Sequence, residues 1–446
     1  MSVKRLLTDE TGKEIVSSLN KLVATTSKVH NGHTISLLDA NNEPMYVFSS
    51  VAGGILFDVS PYPTKEDTYE SVSTYITNKT YYYLSNEEYI EDTDVVDSAS
   101  FASELALHGT LYIKNVYSFK GWCSDLSDED SRISFPMYQL TEDLVLYPYF
   151  TTGESCYIGQ LGSSNPANVT FSKSTGFPTE QQAYEEVVID GNVFAKFNTW
   201  YKKAIYNGDE LIGFEISDTK ESDNFVPYDC FLDEEGNVLP YILIGKYCLS
   251  STTVANSVDA TRATMTIGTG RALCRALGTG YQQMDGAIFN FWRDLALAIS
   301  QNVNFNSGAG VSSYLGLARM IEGGWWLDGI THIDSTYLYS YKPSKYIDSP
   351  TANTDGYSAL SYSMPTSSNY ITKLGYDSNH PTINMPSAVG GSASTYYCDY
   401  MYYASGNHPC YCFVGSASAL NGLFCLNGNS GWSGAYGVRL CYKPIA

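Results

Sequence analysis

TGRALCRALGTGYQQMDGAIFNFWRDLALAIS, residues 269–300, is the stretch on which the reading of the fold turns, because it carries the helical signal of the second half of the chain. Its first part, TGRALCRALG (269–278), predicts a short helix that stops at Gly278, a residue able to take the left-handed conformation of a C-cap. DGAIFNFWRDLALAIS (285–300) predicts a longer helix with Asp285 as N-cap. Ile288, Trp292, Leu295 and Ile299 fall on one stripe of it and are expected in the core rather than around a cofactor. Before this pair come strand-like runs, VFAKFNTWYKKAIY (193–206), ELIGFEISD (210–218) and YILIGKYCL (241–249). After residue 305 the chain reads as Gly, Ser, Asn and Tyr loops with short strands. It ends in YGVRLCYKP (436–444), with Val438, Leu440 and Tyr442 on one face and Arg439 and Cys441 on the other. Strands, two helices, long loops and a closing strand make an α+β domain with its ends paired.

The first half reads differently. TGKEIVSSLNKLV (11–23) predicts an amphipathic helix with Thr11 and Glu14 at capping-box spacing and Ile15, Leu19, Leu22 and Val23 on one stripe. So short a helix is not stable alone: it either docks on its own domain or anchors and self-associates, and residues 1–30 are taken as an attachment or oligomerisation segment, with a homotrimer as the expected state. Runs of period two, such as PMYVFSS (44–50), KTYYYLS (79–85) and GTLYIKNVYSF (109–119), predict a β-rich domain over 31–150. EEYIEDTDVVD (87–97) and SDLSDEDS (124–131) are expected as solvated acidic loops, the second lacking the spacing of a calcium loop. TTGESCYIGQLGSSNPAN (151–168) opens a linker with entry strands over 151–184, and the main domain follows over 185–446. The expected fold class is therefore α+β, mostly β.

Composition narrows the function. The 446 residues hold 47 Asp and Glu against 26 Lys and Arg, a formal net charge of −21. No basic surface is available to release counterions from nucleic acid, so no nucleic-acid partner is expected. No run approaches 18 apolar residues and no signal peptide opens the chain, so membrane insertion is not expected either, and synthesis in a cytoplasm is. The ten cysteines are scattered without a CxxC pair, which argues for thiols rather than a disulfide framework. Cys398, His408, Cys410 and Cys412 have poor spacing for a zinc chelate, and no metal or other cofactor is expected. Glu322 and Asp328, beside two tryptophans, are the one pair with the look of a glycosidase acid and base. In a chain this acidic the pair is weak evidence, and the expectation is no catalysis.

Several motifs are similar to those of a known family. FNTWYKKAIYNGDELIGFEISDTK (197–220), GNVLPYILIGKY (236–247), CRALGTGYQQMDGAIFNFW (274–292), GGWWLDGI (323–330) and FVGSASALNGLFCLNGNSGWSGAYGVRLCY (413–442) together resemble the C-type-lectin-like domain of bacteriophage tail and host-attachment proteins. The resemblance covers about 185–446. It implies a C-type-lectin-like fold with long ligand-facing loops. It also implies a virion protein, at a tail tip or as a capsid fibre, which meets other virion proteins through its N-terminal region. In some members a retroelement diversifies the C-terminal loops by mutating adenines, and Asn codons changed at their first two bases reach Tyr, Ser, Cys, Asp and others but never Lys, Glu, Gln, Met or Trp. Between Leu374 and Tyr442 this chain has no Lys, Glu or Gln.

STYYCDYMYYASGNHPCYCF (394–413) is the expected ligand-facing surface, since Tyr offers rigid amphipathic area and Ser, Gly and Asn adaptable hydrogen bonds. The candidate binding residues are Tyr396, Tyr397, Asp399, Tyr400, Tyr402, Tyr403, Asn407, Tyr411, Phe413, Ser416, Ser418, Asn421, Asn427, Asn429, Trp432 and Tyr436. Their expected partner is a host-surface receptor, glycan or protein. The alternatives are a decoration or fibre protein that holds virion neighbours together and a glycan-depolymerising spike.

Overall fold

The structure is a computed structural model. It describes residues 30–51, 63–76, 79–125, 132–133, 144–189, 191–249, 264–303, 313–318, 325–351, 356–412, 426–427, 432–433 and 436–444. The helix expected over 11–23 lies outside them.

Among the described residues the chain is 45% strand and 14% helix, with three helices, and its strands are arranged as a four-bladed β-propeller. This overturns the expectation of an N-terminal helix and β-rich domain followed by a C-type-lectin-like domain. The physical reason lies after residue 305. The region expected as loops with short strands is built of paired strands there, among them Trp325–Ile333 and the Tyr-containing Thr336–Tyr339, Ser358–Ser363, Asn369–Gly375 and Asn407–Cys412. Tyrosine fits a pleated, half-buried surface as well as the aliphatic residues do.

Two compact units divide the chain, 1–65 with 119–151 and 66–118 with 152–446. Residues 31–150 are thus shared between both units rather than forming one domain. The first unit carries a sheet in the order Pro44–Val51, His30–Leu38, Leu144–Thr152, Tyr117–Cys123, Arg132–Ile133.

In the second unit, one sheet runs Glu185–Ile189, Asn192–Asn198, Tyr241–Cys248, Arg439–Tyr442, Tyr281–Gln283, so strands from far apart in sequence share a single ladder. A second runs Ser358–Ser363, Thr336–Tyr339, Trp325–Ile333, Asn407–Cys412, Leu426–Asn427. An eight-stranded sheet contains Ser155–Gly159, Tyr201–Asn207 and Glu210–Ser217, with Asn369–Gly375 joined to its path. Within 151–184, expected as a linker with entry strands, Ser155–Gly159 and Thr170–Lys173 are strands of this sheet. The hairpin Tyr201–Asn207/Glu210–Ser217 closes on Gly208 at φ 63, as a two-residue primed turn requires. A four-stranded sheet, Thr68–Val72, Leu111–Asn115, Tyr81–Ser85, Glu88–Asp92, carries the helix Ser98–His108. The acidic segment 87–97 is largely exposed, as expected, but it is not all loop: Glu88–Asp92 forms the last of these strands, and Asp97 caps that helix with a capping box to Ser100.

The helix Gly286–Ser300 is the centre of the core. Asp285 caps it, accepting from Ile288 N at 2.7 Å. Ile288, Trp292 and Leu295 are buried and Ile299 packs against the same cluster, but Phe289, Phe291 and Leu297 on the other faces are buried too. A helix apolar all round is enclosed on every side. The shorter helix, Ile267–Arg275, ends with Ala276 as its C-cap in the right-handed region. Gly278 lies two residues further on, at φ 128, rather than serving as the cap. The final strand turns its two faces to different clusters, Val438, Leu440 and Tyr442 to one and Cys441 to the other, and Val438 to Cys441 are all buried.

Glu215, in the strand Glu210–Ser217, is 4% exposed, and burial, with Glu221 adding to it, pushes its carboxyl up from 4.5 to about 7. The folded chain therefore holds a proton here that the unfolded chain releases near pH 4.5. Stability tied to this group is present below that pH and is lost as the pH rises through about 7, to the extent of about 3 kcal/mol. Glu215→Gln should match the wild type in urea melts at pH 4 and exceed it at pH 8. A constant difference across that range would contradict this assignment.

Candidate functional site

The expected binding stretch begins with a turn. Tyr396 and Cys398 both have positive φ, 58° and 60°, a conformation that costs a non-glycine residue energy and marks an over-determined local structure. Between them Tyr397 is turned into the core at 1% exposure, and Asp399 is buried as well. Neither belongs to an exposed surface. Beyond the turn, Tyr400–Met401 pairs with Asn369–Gly375, placing Tyr400 directly opposite Tyr370.

Those two rings meet edge to face at 5.1 Å and 89°, and Tyr402, two residues on, approaches Tyr400 at 4.8 Å. All three are half-buried, so part of each ring faces solvent. Tyr403 also is half-buried, but packs against the core, 5.9 Å from the His332 ring. Tyr396 packs there likewise.

Asn407–Cys412 continues the surface and then dives. Its register against Trp325–Ile333 sets Tyr411 opposite Trp326. Tyr411 is 3% exposed, stacked on Tyr436 at 3.9 Å, with the Tyr436 hydroxyl donating to that of Tyr411 at 3.0 Å. It is a core residue of a second cluster with Trp326 and Leu440, not a free contact. Tyr436 is half-buried on the flank of that cluster. Trp432, half-buried, donates its indole N–H to the Asn407 carbonyl at 3.2 Å. The Asn407 side-chain oxygen is buried without a hydrogen-bond partner. Asn427 lies in a two-residue strand opposite Tyr411. Phe413, Ser416, Ser418, Asn421 and Asn429 lie outside the described residues, as does Glu322.

The structure thus splits the expected surface in two. Tyr400 and Tyr402, with Tyr403, Asn407 and Trp432 nearby in sequence or space, remain available at least in part. Tyr397, Asp399 and Tyr411 serve the fold. Sequence reasoning missed Tyr370, which contributes from a strand 30 residues upstream. Only the cross-strand register reveals it.

The groups considered for chemistry are engaged elsewhere. Asp328 is 1% exposed; Arg271 grips both its oxygens at 2.7 and 2.8 Å, and Gln283 donates to it at 2.7 Å. Gly329 beside it sits at φ 67, where a Cβ would meet the Ser340 carbonyl at 2.4 Å, so the Asp-Gly pair is a packing requirement. Burial pushes the thiols of Cys398, to about 11, and of Cys410 upward. Within hydrogen-bond distance of the His408 Nε2 is the Ser405 carbonyl, at 2.8 Å. Among the described residues these cysteines and His408 do not converge as metal ligands.

A further buried cluster surrounds the central helix. Lys202 Nζ contacts Asp294 and Asn384 at 2.5 Å each, all three side chains enclosed, and burial lowers the Lys202 amine to about 8 against the opposing pull of Asp294. Arg293 also holds Asp294, so the cluster is a satisfied ion network in the core.

No helix among the described residues is long and apolar enough to cross a membrane. No protein-family model and no curated protein matches the chain.

Two substitutions separate fold from surface. Asp328→Asn should lower stability by about 3–5 kcal/mol in denaturant melts, because the Arg271 charge loses its buried partner. Tyr411→Ala should cost about 3 kcal/mol or more as a core cavity, whereas Tyr400→Ala should cost about 1 kcal/mol, the worth of an aromatic pair. Equal losses for the two tyrosines would show that both are core.

Proposed function

We propose that the chain is a non-catalytic binding protein that engages a host-surface receptor, glycan or protein, through a tyrosine face centred on Tyr370, Tyr400 and Tyr402. The observation that carries this reading is the ring row itself. Three half-buried tyrosines, each touching the next, are held together by a cross-strand pair. Tyrosine ranks among the side chains most enriched at binding hot spots. Rings held by their neighbours lose little freedom on binding, which favours affinity. Sugar rings stack on such faces, and neighbouring Asn and Ser groups complete hydroxyl recognition.

The commitment of Asp328 to Arg271 and Gln283 supports a binding role over glycan cleavage, since a general acid must be free to exchange its proton. The setting on a phage virion, with the N-terminal region attaching the chain to its neighbours and a homotrimer as its state, rests on the sequence motifs alone.

The test uses fluorescently labelled full-length protein, intact bacterial cells and an array of bacterial surface polysaccharides. Saturable binding is expected, and Tyr400→Ala with Tyr402→Ala should weaken it about 30-fold or more, a loss of about 2 kcal/mol at a hot spot. Circular dichroism should show both variants folded, while Trp292→Ala should lose about 3–5 kcal/mol of stability. A double variant that binds like the wild type would place the binding site elsewhere. Shortened polysaccharide chains after incubation would replace this reading with the depolymerase.

A further inference from the structure

The four-stranded sheet and its helix bring together three side chains that the tyrosine face does not use. Glu104 and His108 lie one turn apart on the helix Ser98–His108, so their side chains share a face. Asp92 ends the strand Glu88–Asp92, which reaches the helix through the short segment that Asp97 closes. The His108 Nε2 lies 3.5 Å from a Glu104 oxygen and 3.9 Å from Asp92 Oδ2, and the three atoms sit within 4.8 Å of one another.

Two details set this group apart from a surface ion pair. The first is Asp92. It is 7% exposed; its Oδ1 accepts from the Asp94 N–H at 3.1 Å, while its Oδ2 is buried, faces the imidazole and has no hydrogen-bond partner. A buried carboxylate oxygen without a partner is costly, and each such atom calls for an explanation. The second is the imidazole. Its ring stacks flat on Tyr83, with centroids 3.8 Å apart and planes at 6°, which fixes the direction of Nε2 toward the two acids. Separations of 3.5 and 3.9 Å are long for hydrogen bonds. They suit atoms that share a third one between them: ligands at about 2.0–2.2 Å from a tetrahedral ion stand about 3.4 Å apart.

We propose that Asp92, Glu104 and His108 form a binding site for a divalent transition-metal ion of the zinc class, with water completing the coordination. One nitrogen and two carboxylate donors suit such an ion, and three protein ligands leave one position open. The local need is for stability. Among the described residues, the core between this sheet and its helix has only Tyr81, Phe101 and Leu111 as buried apolar residues of its cluster. An ion joining the last turn of the helix to the end of a strand would tie the two layers together, as metals do in small cores.

The test is calorimetric titration of the full chain, freed of metal with a chelator, first with zinc chloride and then with cobalt chloride. The expected result is one equivalent bound with micromolar or tighter affinity, and a melting temperature raised by zinc. Glu104→Gln, a partly exposed position where folding is safe, and His108→Ala should each weaken binding at least tenfold and abolish the thermal shift. His408→Ala should change neither. Bound cobalt should show visible bands of low-symmetry coordination without the intense near-ultraviolet band of a cobalt thiolate. Three results would each overturn the proposal: binding no tighter than millimolar, binding unchanged in Glu104→Gln and His108→Ala, or a cobalt spectrum dominated by thiolate, which would assign the metal to a cysteine.

Discussion

The bidentate pair between Arg271 and Asp328 is the contact on which the second unit depends. Arg271 stands on the short helix and Asp328 at the irregular step of the strand Trp325–Ile333, where the register against Asn407–Cys412 shifts. Gln283, from the edge strand of another sheet, joins the same carboxylate. One acid therefore holds a helix and two sheets at fixed distance. Neither charge is tolerable alone in that interior, so any arrangement that separates them is penalised. The pair restricts the alternatives open to the chain as much as it adds to stability.

The same logic runs through the rest of an acidic chain. Asp285 caps the central helix and also accepts from Gln282 and the Tyr346 hydroxyl. Asp229 accepts from Thr382 and Tyr339. Asp294 meets Lys202, Tyr228 and Arg293. Tyrosine is the usual intermediary, since its ring fills core volume and its hydroxyl satisfies a carboxylate. The abundance of tyrosine is thus not only a surface property. Tyr337, Tyr339, Tyr346 and Tyr397 are interior residues, while Tyr400 and Tyr402 are half-buried.

This double use explains why the proposed binding stretch was only partly legible. Composition pointed to 394–413 as a Tyr-rich surface, and Tyr400 and Tyr402 do remain half-exposed there. Nothing local distinguishes them from Tyr397 and Tyr411. The burial of Tyr397 follows from two left-handed residues around it, and that of Tyr411 from a ladder with Trp326 and a stack with Tyr436. Tyr370 enters only through pairing across a sheet.

Local pattern by itself determined the central helix, its Asp285 cap and its core stripe, because capping and 3.6-residue periodicity act within a few residues. It determined also the strand character of much of 193–206, 210–218 and 241–249. The propeller, the strand use of the Tyr-rich second half and the division into units were decided by tertiary structure alone. A strand shows its propensity in sequence, but not which distant strand completes its hydrogen bonds: Arg439–Tyr442 finds Tyr241–Cys248 some 190 residues away, and only that pairing says which face is core and which meets solvent.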